Sequence, residues 1–322
     1  MVMNRSTFTG VVAALVAAFV WSLNFVVPFV IGRYSVFDFA LLRFLISGAL
    51  GFGFLAFRAD ALRALTGRDW LVALWLGFVG CVGYFLAVVG AAIFAGPVVA
   101  PACLALVPIV LALAGNLRQR SVPWRALALP LTLAASGLVL VNAGAFDPGS
   151  LMPLASSLMG LAMAAIAIAF WVWFGLLNQS ALAARPGMEA GVWTSLIMAG
   201  CGLEMLVFLP FGLVAGVFNI PQLGLDWSIA APLYGWAALL ASVSTVGGAL
   251  AWAVAARRLP VALSAQLVVA ETIFGTIFGL TVHGRWPTAT EIGGIAILIA
   301  GVVTAVATFH AERERVEARA IG

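Results

Sequence analysis

The stretch "AETIFGTIFGLTVHGRWPTATEIGGIAILIAGVV", residues 270–303, decides the fold class of this 322-residue chain. It begins inside one apolar run, near residues 260–282, and ends inside a second, near residues 289–309. A helix needs about 20 apolar residues, each rising about 1.5 Å, to cross about 30 Å of hydrocarbon. The stretch therefore predicts two membrane-spanning helices joined by a short polar loop.

The same pattern recurs along the whole chain. Hydrophobic residues make up 64% of the sequence and charged residues 9%, with a mean hydropathy of +1.15. Soluble globular domains do not have this composition. The sequence predicts an all-α integral membrane protein with ten transmembrane helices, near residues 9–31, 37–57, 70–90, 95–115, 124–143, 154–179, 190–216, 230–255, 260–282 and 289–309.

The arginines predict the orientation of these helices, because basic residues concentrate in cytoplasmic loops. The outer loops would hold only Arg33 and Arg285, and Arg43 would lie within helix 2. The inner segments would hold Arg5, Arg58, Arg63, Arg68, Arg118, Arg120, Arg125, Arg185, Arg257, Arg258, Arg313, Arg315 and Arg319. We therefore expect both termini in the cytoplasm, with residues 310–322 as a charged cytoplasmic tail.

Weak internal similarity predicts two repeats, residues 1–148 and 149–309, of five helices each. "VWSLNF" at 20–25 aligns with "VWFGLLN" at 172–178, and "LVPIVLAL" at 106–113 aligns with "VAETIFGT" at 269–276. An odd number of spans in each half places the halves in opposite orientations. This inverted-repeat plan is typical of secondary transporters, whose substrate site lies near the midplane. A chance likeness among Ala, Leu, Val and Gly is the alternative.

One carboxylate lies deep in the predicted membrane. Glu271 follows Pro260 by about 11 residues, which places it roughly 16 Å into helix 9. An ionised carboxylate facing lipid costs several kcal/mol, so Glu271 is expected to face a cavity, find a partner or carry a proton. It is predicted to be a proton site or an anchor for a substrate amine. The alternative is a neutral side chain that is hydrogen-bonded to a neighbouring helix.

Other intramembrane residues suggest structural roles. Arg43 in helix 2 and Glu204 in helix 7 are predicted to be structural charges, and an ion pair between them is one way to satisfy both. Pro101 and Pro108 in helix 4 and Gly275 in helix 9 are predicted hinge positions. A proline inside a helix removes a backbone hydrogen bond and bends the helix there.

Aromatic and amide side chains are also predicted at membrane depth. Trp21, Tyr84, Trp171 and Trp252 either pack in the core or form a cavity wall that stacks rings and holds cations. The amides of Asn24 and Gln266 must find polar partners in lipid. With Glu271, these residues form the predicted substrate-binding set.

Several function classes lack their chemistry in this sequence. The chain has no lysine, which excludes a Walker A phosphate loop and a lysine Schiff base. Cys81, Cys103 and Cys201 lie in apolar stretches, so we expect them to be packed side chains rather than metal ligands or members of a disulfide. The net charge of +4 comes from loop arginines, so topology explains it better than nucleic-acid binding. We expect no enzyme activity, cofactor or metal.

The chain resembles the drug/metabolite transporter superfamily, specifically its EamA-type ten-helix members. The resemblance rests on "WSLNF" (21–25), "LLRFLISG" (41–48) and the stretch 270–303, and it extends loosely over nearly the whole chain. It implies two inverted five-helix repeats around a central substrate cavity. The family usually carries proline in its helix 4 and helix 9 motifs, where this chain has Pro108 and Glu271.

Two further stretches resemble YddG-type aromatic amino-acid exporters of this superfamily: "AFWVWFGLLN" (169–178) and "ALAWAVA" (249–255). The resemblance implies a bacterial inner-membrane secondary transporter or facilitator that exports amino acids, aromatic ones favoured, or related small metabolites by alternating access. Its partners would be the substrate, the lipid bilayer and protons. An exporter of organic cations or drugs with the same fold is an alternative. A non-transporting membrane scaffold is another.

Overall fold

The computed structural model describes residues 5–104, 106–120, 122–142, 153–284 and 286–321. Regular secondary structure in these ranges is helical throughout. Eight helical stretches of the described residues are long and apolar enough to cross a membrane: Arg5–Val30, Val36–Phe57, Gly67–Phe94, Leu154–Ala183, Ala190–Val214, Trp227–Ala256, Val261–Val282 and Ala289–Glu312. The prediction of a multi-pass helical membrane protein is therefore confirmed.

The spans are built from the α-helices of the described residues. These are α1 (Arg5–Ser22), α2 (Val27–Val30), α3 (Val36–Phe57), α4 (Ala59–Ala64), α5 (Gly67–Gly77), α6 (Gly83–Leu104), α7 (Val107–Gln119), α8 (Trp124–Asn142), α9 (Leu154–Ala183), α10 (Ala190–Val214), α11 (Ile220–Leu223), α12 (Trp227–Leu239), α13 (Gly248–Ala256), α14 (Val261–Val268), α15 (Ala270–His283) and α16 (Ala289–Ile321). A 3₁₀ segment, Leu23–Val26, joins α1 to α2. π-helical segments, Phe78–Val82 and Leu240–Gly247, join α5 to α6 and α12 to α13.

Most of the extensive helix contacts join the two halves of the sequence. α3 packs against α10, α6 against α9, α8 against α16 and α1 against α13. Gly48 and Gly202 allow the backbones of α3 and α10 to touch, because a Cβ atom on Gly48 would lie 2.6 Å from the Gly202 Cα. Small residues serve this purpose in membrane helix pairs, where packing rather than hydrophobic burial drives association.

The two ends of the helix bundle differ in their polar contacts. At one end, which we call the arginine end, Arg58 pairs with Glu189 at 2.5 Å and Arg185 pairs with Asp69. Both terminal helices reach this end. Gly10 of α1 lies against Leu259, and Phe309 of α16 belongs to the same hydrophobic cluster as Leu259.

At the other end, which we call the capped end, a single buried carboxylate binds two helix N-termini. Asp38 accepts hydrogen bonds from the backbone N–H of Ser35 at 2.8 Å, at the start of α3. It also accepts from the N–H groups of Asn219 at 3.0 Å and Ile220 at 3.1 Å, at the start of α11. Negative charge at a helix N-terminus is favourable, so Asp38 ties the first half of the chain to the second.

The structure describes the predicted stretches at 95–115 and 124–143 only in part. Residues 95–115 fall on the end of α6 and the beginning of α7, and the second stretch coincides with α8, whose described apolar segment is Trp124–Leu140. Pro108 falls in the first turn of α7, where a missing N–H costs nothing. The other eight predicted stretches coincide with spans, whereas the total of ten and the inverted repeat stay predictions.

Candidate functional site

A cavity of about 660 Å³ lies among the membrane spans. Its volume falls within the roughly 300–1,000 Å³ that is usual for small-molecule sites. Both halves of the chain line it, with Trp21, Arg43 and Tyr84 from the first half and Trp171, Thr245 and Glu271 from the second. A pocket shared in this way changes shape whenever the halves move relative to each other.

Glu271 lies halfway along the span Val261–Val282, in the first turn of α15. The span is irregular immediately before it, because Val269 and Thr272 donate to carbonyls only three residues back, at 3.3 and 3.0 Å. Acidic side chains are favoured in the first turn of a helix. Among the described residues, Glu271 forms no hydrogen bond or ion pair, so its carboxylate is available to the cavity.

Arg43 is held in the cavity wall by neutral partners. Its Nε–H donates to Thr245 Oγ1 at 2.6 Å, and its Nη1 donates to Asn24 Oδ1 at 2.5 Å. The guanidinium carbon also lies 5.3 Å from the Phe44 ring centroid. These partners hold the guanidinium in place without neutralising its charge. The ion pair with Glu204 that the sequence allowed is not formed.

The partners of Arg43 come from irregular backbone. Asn24 belongs to the 3₁₀ segment and donates to the Trp21 carbonyl at 2.7 Å and to Ser244 Oγ at 3.3 Å. Thr245 belongs to the second π segment and donates to the Leu240 carbonyl at 3.1 Å. Irregular backbone at membrane depth is tolerated where it lines a cavity. The network therefore joins three spans at the site.

Aromatic rings form a continuous wall beside these charges. The Trp171 ring lies 5.4 Å from Trp21, 5.0 Å from Tyr84 and 5.3 Å from Phe174, measured between centroids. All four side chains line the cavity. Ring faces of this kind can stack an aromatic ligand or hold a cation.

The structure brings most of the predicted site residues together. Trp21, Asn24, Tyr84, Trp171 and Glu271 all line the cavity. The predicted hinge residues Pro108 and Gly275 line it too, and the Gly275 Cα faces the Phe25 ring closely enough that a Cβ atom would lie 2.6 Å from it. Pro101 lies within α6, and its side chain is outside the described residues.

Two predicted residues do not reach the cavity wall. Trp252 is 2% exposed and packs behind Trp21, with centroids 5.7 Å apart. Among the residues that the structure describes, its indole N–H has no hydrogen-bond partner, and neither amide atom of Gln266, which is 1% exposed, has one either. The helical spacing of a residue does not specify which face of a membrane helix is turned to a cavity.

Glu204 lies apart from the cavity, in a shallow groove of about 360 Å³ between α5, α6 and α10. The groove is otherwise apolar, with Phe208 and Leu74 among its residues. Within the described part of the chain, Glu204 Oε2 has no hydrogen-bond partner. Sequence reasoning grouped Arg43 with Glu204 as structural charges, whereas the structure places Arg43 in the cavity and Glu204 outside it.

Comparisons with known proteins show a related membrane protein and a shared fold. No family model matches the chain. It is 28% identical over 314 residues to the inner membrane protein YtfF of Escherichia coli (strain K12), an alignment that covers 92% of this chain and 95% of that one. A solved structure described as "Crystal structure of protein" superposes with a TM-score of 0.71 at 18% identity, covering 96% of this chain and 98% of that one. The latter likeness shows the fold.

Proposed function

We propose that this chain is an inner-membrane secondary transporter or facilitator that exports amino acids, aromatic ones favoured, or related small metabolites. The observation that carries the proposal is the central cavity. It is lined by both halves of the chain and contains an unpaired carboxylate, Glu271, halfway along a membrane span. Ionisable residues at this depth belong by default to ion or substrate pathways.

The architecture we propose is that of EamA-type members of the drug/metabolite transporter superfamily, with ten helices in two inverted repeats and both termini in the cytoplasm. The contacts between halves and the cavity at their interface support this plan. The name of the Escherichia coli relative supports the inner membrane. The basic residues at the arginine end support a cytoplasmic location for that end.

Alternating access would open the cavity to each side in turn. The cavity lining extends to Val36, at the start of α3 near the capped end. Towards the arginine end, Gln179 of α9 donates to the carbonyls of Leu259 at 2.7 Å and Ala256 at 3.2 Å, and it bonds Gln119 of α7. We propose that these bonds break when the site opens towards the cytoplasm.

Transport by proteoliposomes tests this function. Uptake of labelled aromatic amino acids is measured for the native chain and for Glu271→Gln, with and without an imposed pH gradient. Glu204→Gln is the matched control, because it removes an intramembrane acid outside the cavity. We expect native flux to follow the gradient and Glu204→Gln to behave like the native chain. Glu271→Gln should bind substrate more weakly and should exchange what it binds without responding to the gradient.

Other outcomes change the assignment in defined ways. If native flux ignores the gradient and Glu271→Gln only weakens substrate binding, the protein is a facilitator, and Glu271 holds the amine without carrying a proton. If no substrate moves and a cysteine at Thr272 resists water-soluble thiol reagents in every condition, the protein is a scaffold and the proposal fails.

A further inference from the structure

We propose that Arg43 binds the anionic group of the substrate, opposite an amine held by Glu271, so that the cavity selects dipolar ligands carrying both charges. This inference rests on the proposed transport function and specifies its substrate class. It assigns Arg43 a ligand-binding role in addition to the structural one that its position in the sequence suggests.

The hydrogen bonds of Arg43 leave part of its guanidinium free. An arginine has five N–H donors in a planar fork, and here one bonds Thr245 and one bonds Asn24. The remaining donors, including both on Nη2, have no partner among the described residues. Arg43 is partly exposed, and it lines the cavity. A guanidinium held in this way can donate two parallel hydrogen bonds to a carboxylate.

The two opposite charges of the cavity do not satisfy each other. Arg43 and Glu271 line the same cavity, yet no ion pair joins them. Both side chains are partly exposed to the cavity, so water or a ligand can lie between the two charges and interact with both. A ligand with an amine and a carboxylate can contact both charges at once.

The same arrangement disfavours the organic-cation alternative. A ligand with only a positive charge gains Glu271 and the aromatic wall but faces the unneutralised Arg43. A ligand with only a negative charge faces Glu271. A protein charge of the same sign as the ligand reduces the affinity of the site for that ligand. A ligand with only an amine or only a carboxylate, which we call a half-ligand, therefore binds less tightly than a dipolar one. The ring wall of Trp21, Tyr84 and Trp171 then favours an aromatic side chain on the dipolar ligand.

Three ligands with the same phenylethyl core test the inference: phenylalanine carries both charged groups, phenethylamine only the amine and 3-phenylpropionate only the carboxylate. Dissociation constants are measured by thermal-shift titration of the full chain, and transport of each ligand is measured in proteoliposomes. The variants are Arg43→Gln, Arg43→Lys and Glu271→Gln. Arg63→Gln is the matched control, because Arg63 is an exposed residue of α4 outside the cavity. Native unfolding temperature and monodispersity show which variants are folded.

We expect the native chain to bind phenylalanine about 10- to 100-fold more tightly than either half-ligand. Arg43→Gln should weaken phenylalanine binding by a similar factor, whereas phenethylamine should bind as tightly as before or more tightly, because the repelling charge is gone. Arg43→Lys keeps the positive charge but lacks the planar guanidinium. Its affinity for phenylalanine should lie between those of Arg43→Gln and the native chain. Glu271→Gln should weaken phenylalanine and phenethylamine, but not 3-phenylpropionate.

The outcomes separate this inference from the proposed function. If the native chain transports these ligands but Arg43→Gln weakens phenethylamine as much as phenylalanine, Arg43 only braces the helices and the inference fails. If phenethylamine is the best ligand, the protein is an organic-cation transporter and the inference fails again. If proteoliposomes move neither these three ligands nor any amino acid, the proposed function itself fails.

Discussion

At the scale of single residues, the buried charges of this chain are of two kinds. Asp38 is fully buried and has its hydrogen-bonding capacity used by the N-termini of α3 and α11. Arg43 and Glu271 lie in the cavity wall, and among the described residues some donors of Arg43 and the carboxylate of Glu271 have no hydrogen-bond partner. A charge whose partners are all backbone groups stabilises the fold, whereas one with free capacity beside a cavity is suited to a ligand.

Replacing Asp38 should therefore reduce stability. Asp38→Ala leaves the N–H groups of Ser35, Asn219 and Ile220 without their acceptor, at a cost of about 1–3 kcal/mol or more. We expect the unfolding temperature in detergent to fall by about 3–10 °C. Asp60→Ala, at an exposed acid near the start of α4, is the control and should change it little. Equal unfolding temperatures of the two variants would contradict the role of Asp38 in capping the helices.

Membrane depth was enough to predict several residues of the cavity wall, whereas their part in substrate binding stays a prediction. Glu271, Trp21, Tyr84 and Trp171 are polar or aromatic groups at mid-span, and all of them line the cavity. It predicted poorly which face of a helix meets the cavity. Trp252 and Gln266 satisfied the same depth criterion, yet they pack away from it. Arg43 was assigned only a structural role because its partner Thr245 lies 202 residues away in the chain.

At the scale of secondary-structure elements, both π segments lie beside the cavity. Phe78–Val82 contributes Gly80 and Cys81 to the lining, and Leu240–Gly247 contributes Thr245. π segments within α-helices often mark functional sites, because the extra residue frees carbonyls and turns side chains. Apolar helical runs in the sequence give no signal for such an extra residue, so these segments were not predicted.

Removing the extra residue from the second π segment should impair transport. Val243 is 39% exposed, so its deletion removes little packing. A deletion of one residue turns the following helix by about 100° relative to α12 and moves Thr245 away from Arg43. We expect the variant to fold, as judged by monodispersity, and to lose at least about tenfold in flux, a loss of roughly one hydrogen bond to a charged group.

The control for this deletion is Val243→Ala, which shortens the side chain and keeps the backbone register. It should transport like the native chain. Native flux in the deletion variant would show that the π segment does not position the site.

At the scale of the whole molecule, the fold depends on contacts between its halves. α3 packs on α10, α6 on α9 and α8 on α16, and each of these pairs takes one helix from residues 1–148 and one from residues 149–309. Polar contacts at both ends do the same, through Asp38 with Asn219 and Asp69 with Arg185. The repeat in the sequence suggested two similar units, but weak sequence similarity contains no information about how far they interlock.

Neither half should therefore be stable alone. Expressed separately, residues 1–148 and residues 149–322 would each expose to lipid the small-residue faces and polar groups that the other half covers. We expect each half alone to aggregate or be degraded, and the two halves expressed together to copurify and to restore substrate binding. A half that is monodisperse on its own would contradict this dependence.

A glycine pair on one helix provides the specificity control for that assembly. In the first half, Gly48→Leu places a side chain against the α10 backbone, because even a Cβ atom there would lie 2.6 Å from the Gly202 Cα. For Gly53→Leu, on the same helix, no atom of the described residues lies within 4 Å of the Cβ position. If the halves assemble through the α3–α10 contact, Gly48→Leu abolishes copurification and Gly53→Leu does not. Equal effects of the two variants would mean that the halves associate by nonspecific apolar contact, and a cavity between nonspecifically associated halves cannot position Arg43 and Glu271 for a common ligand.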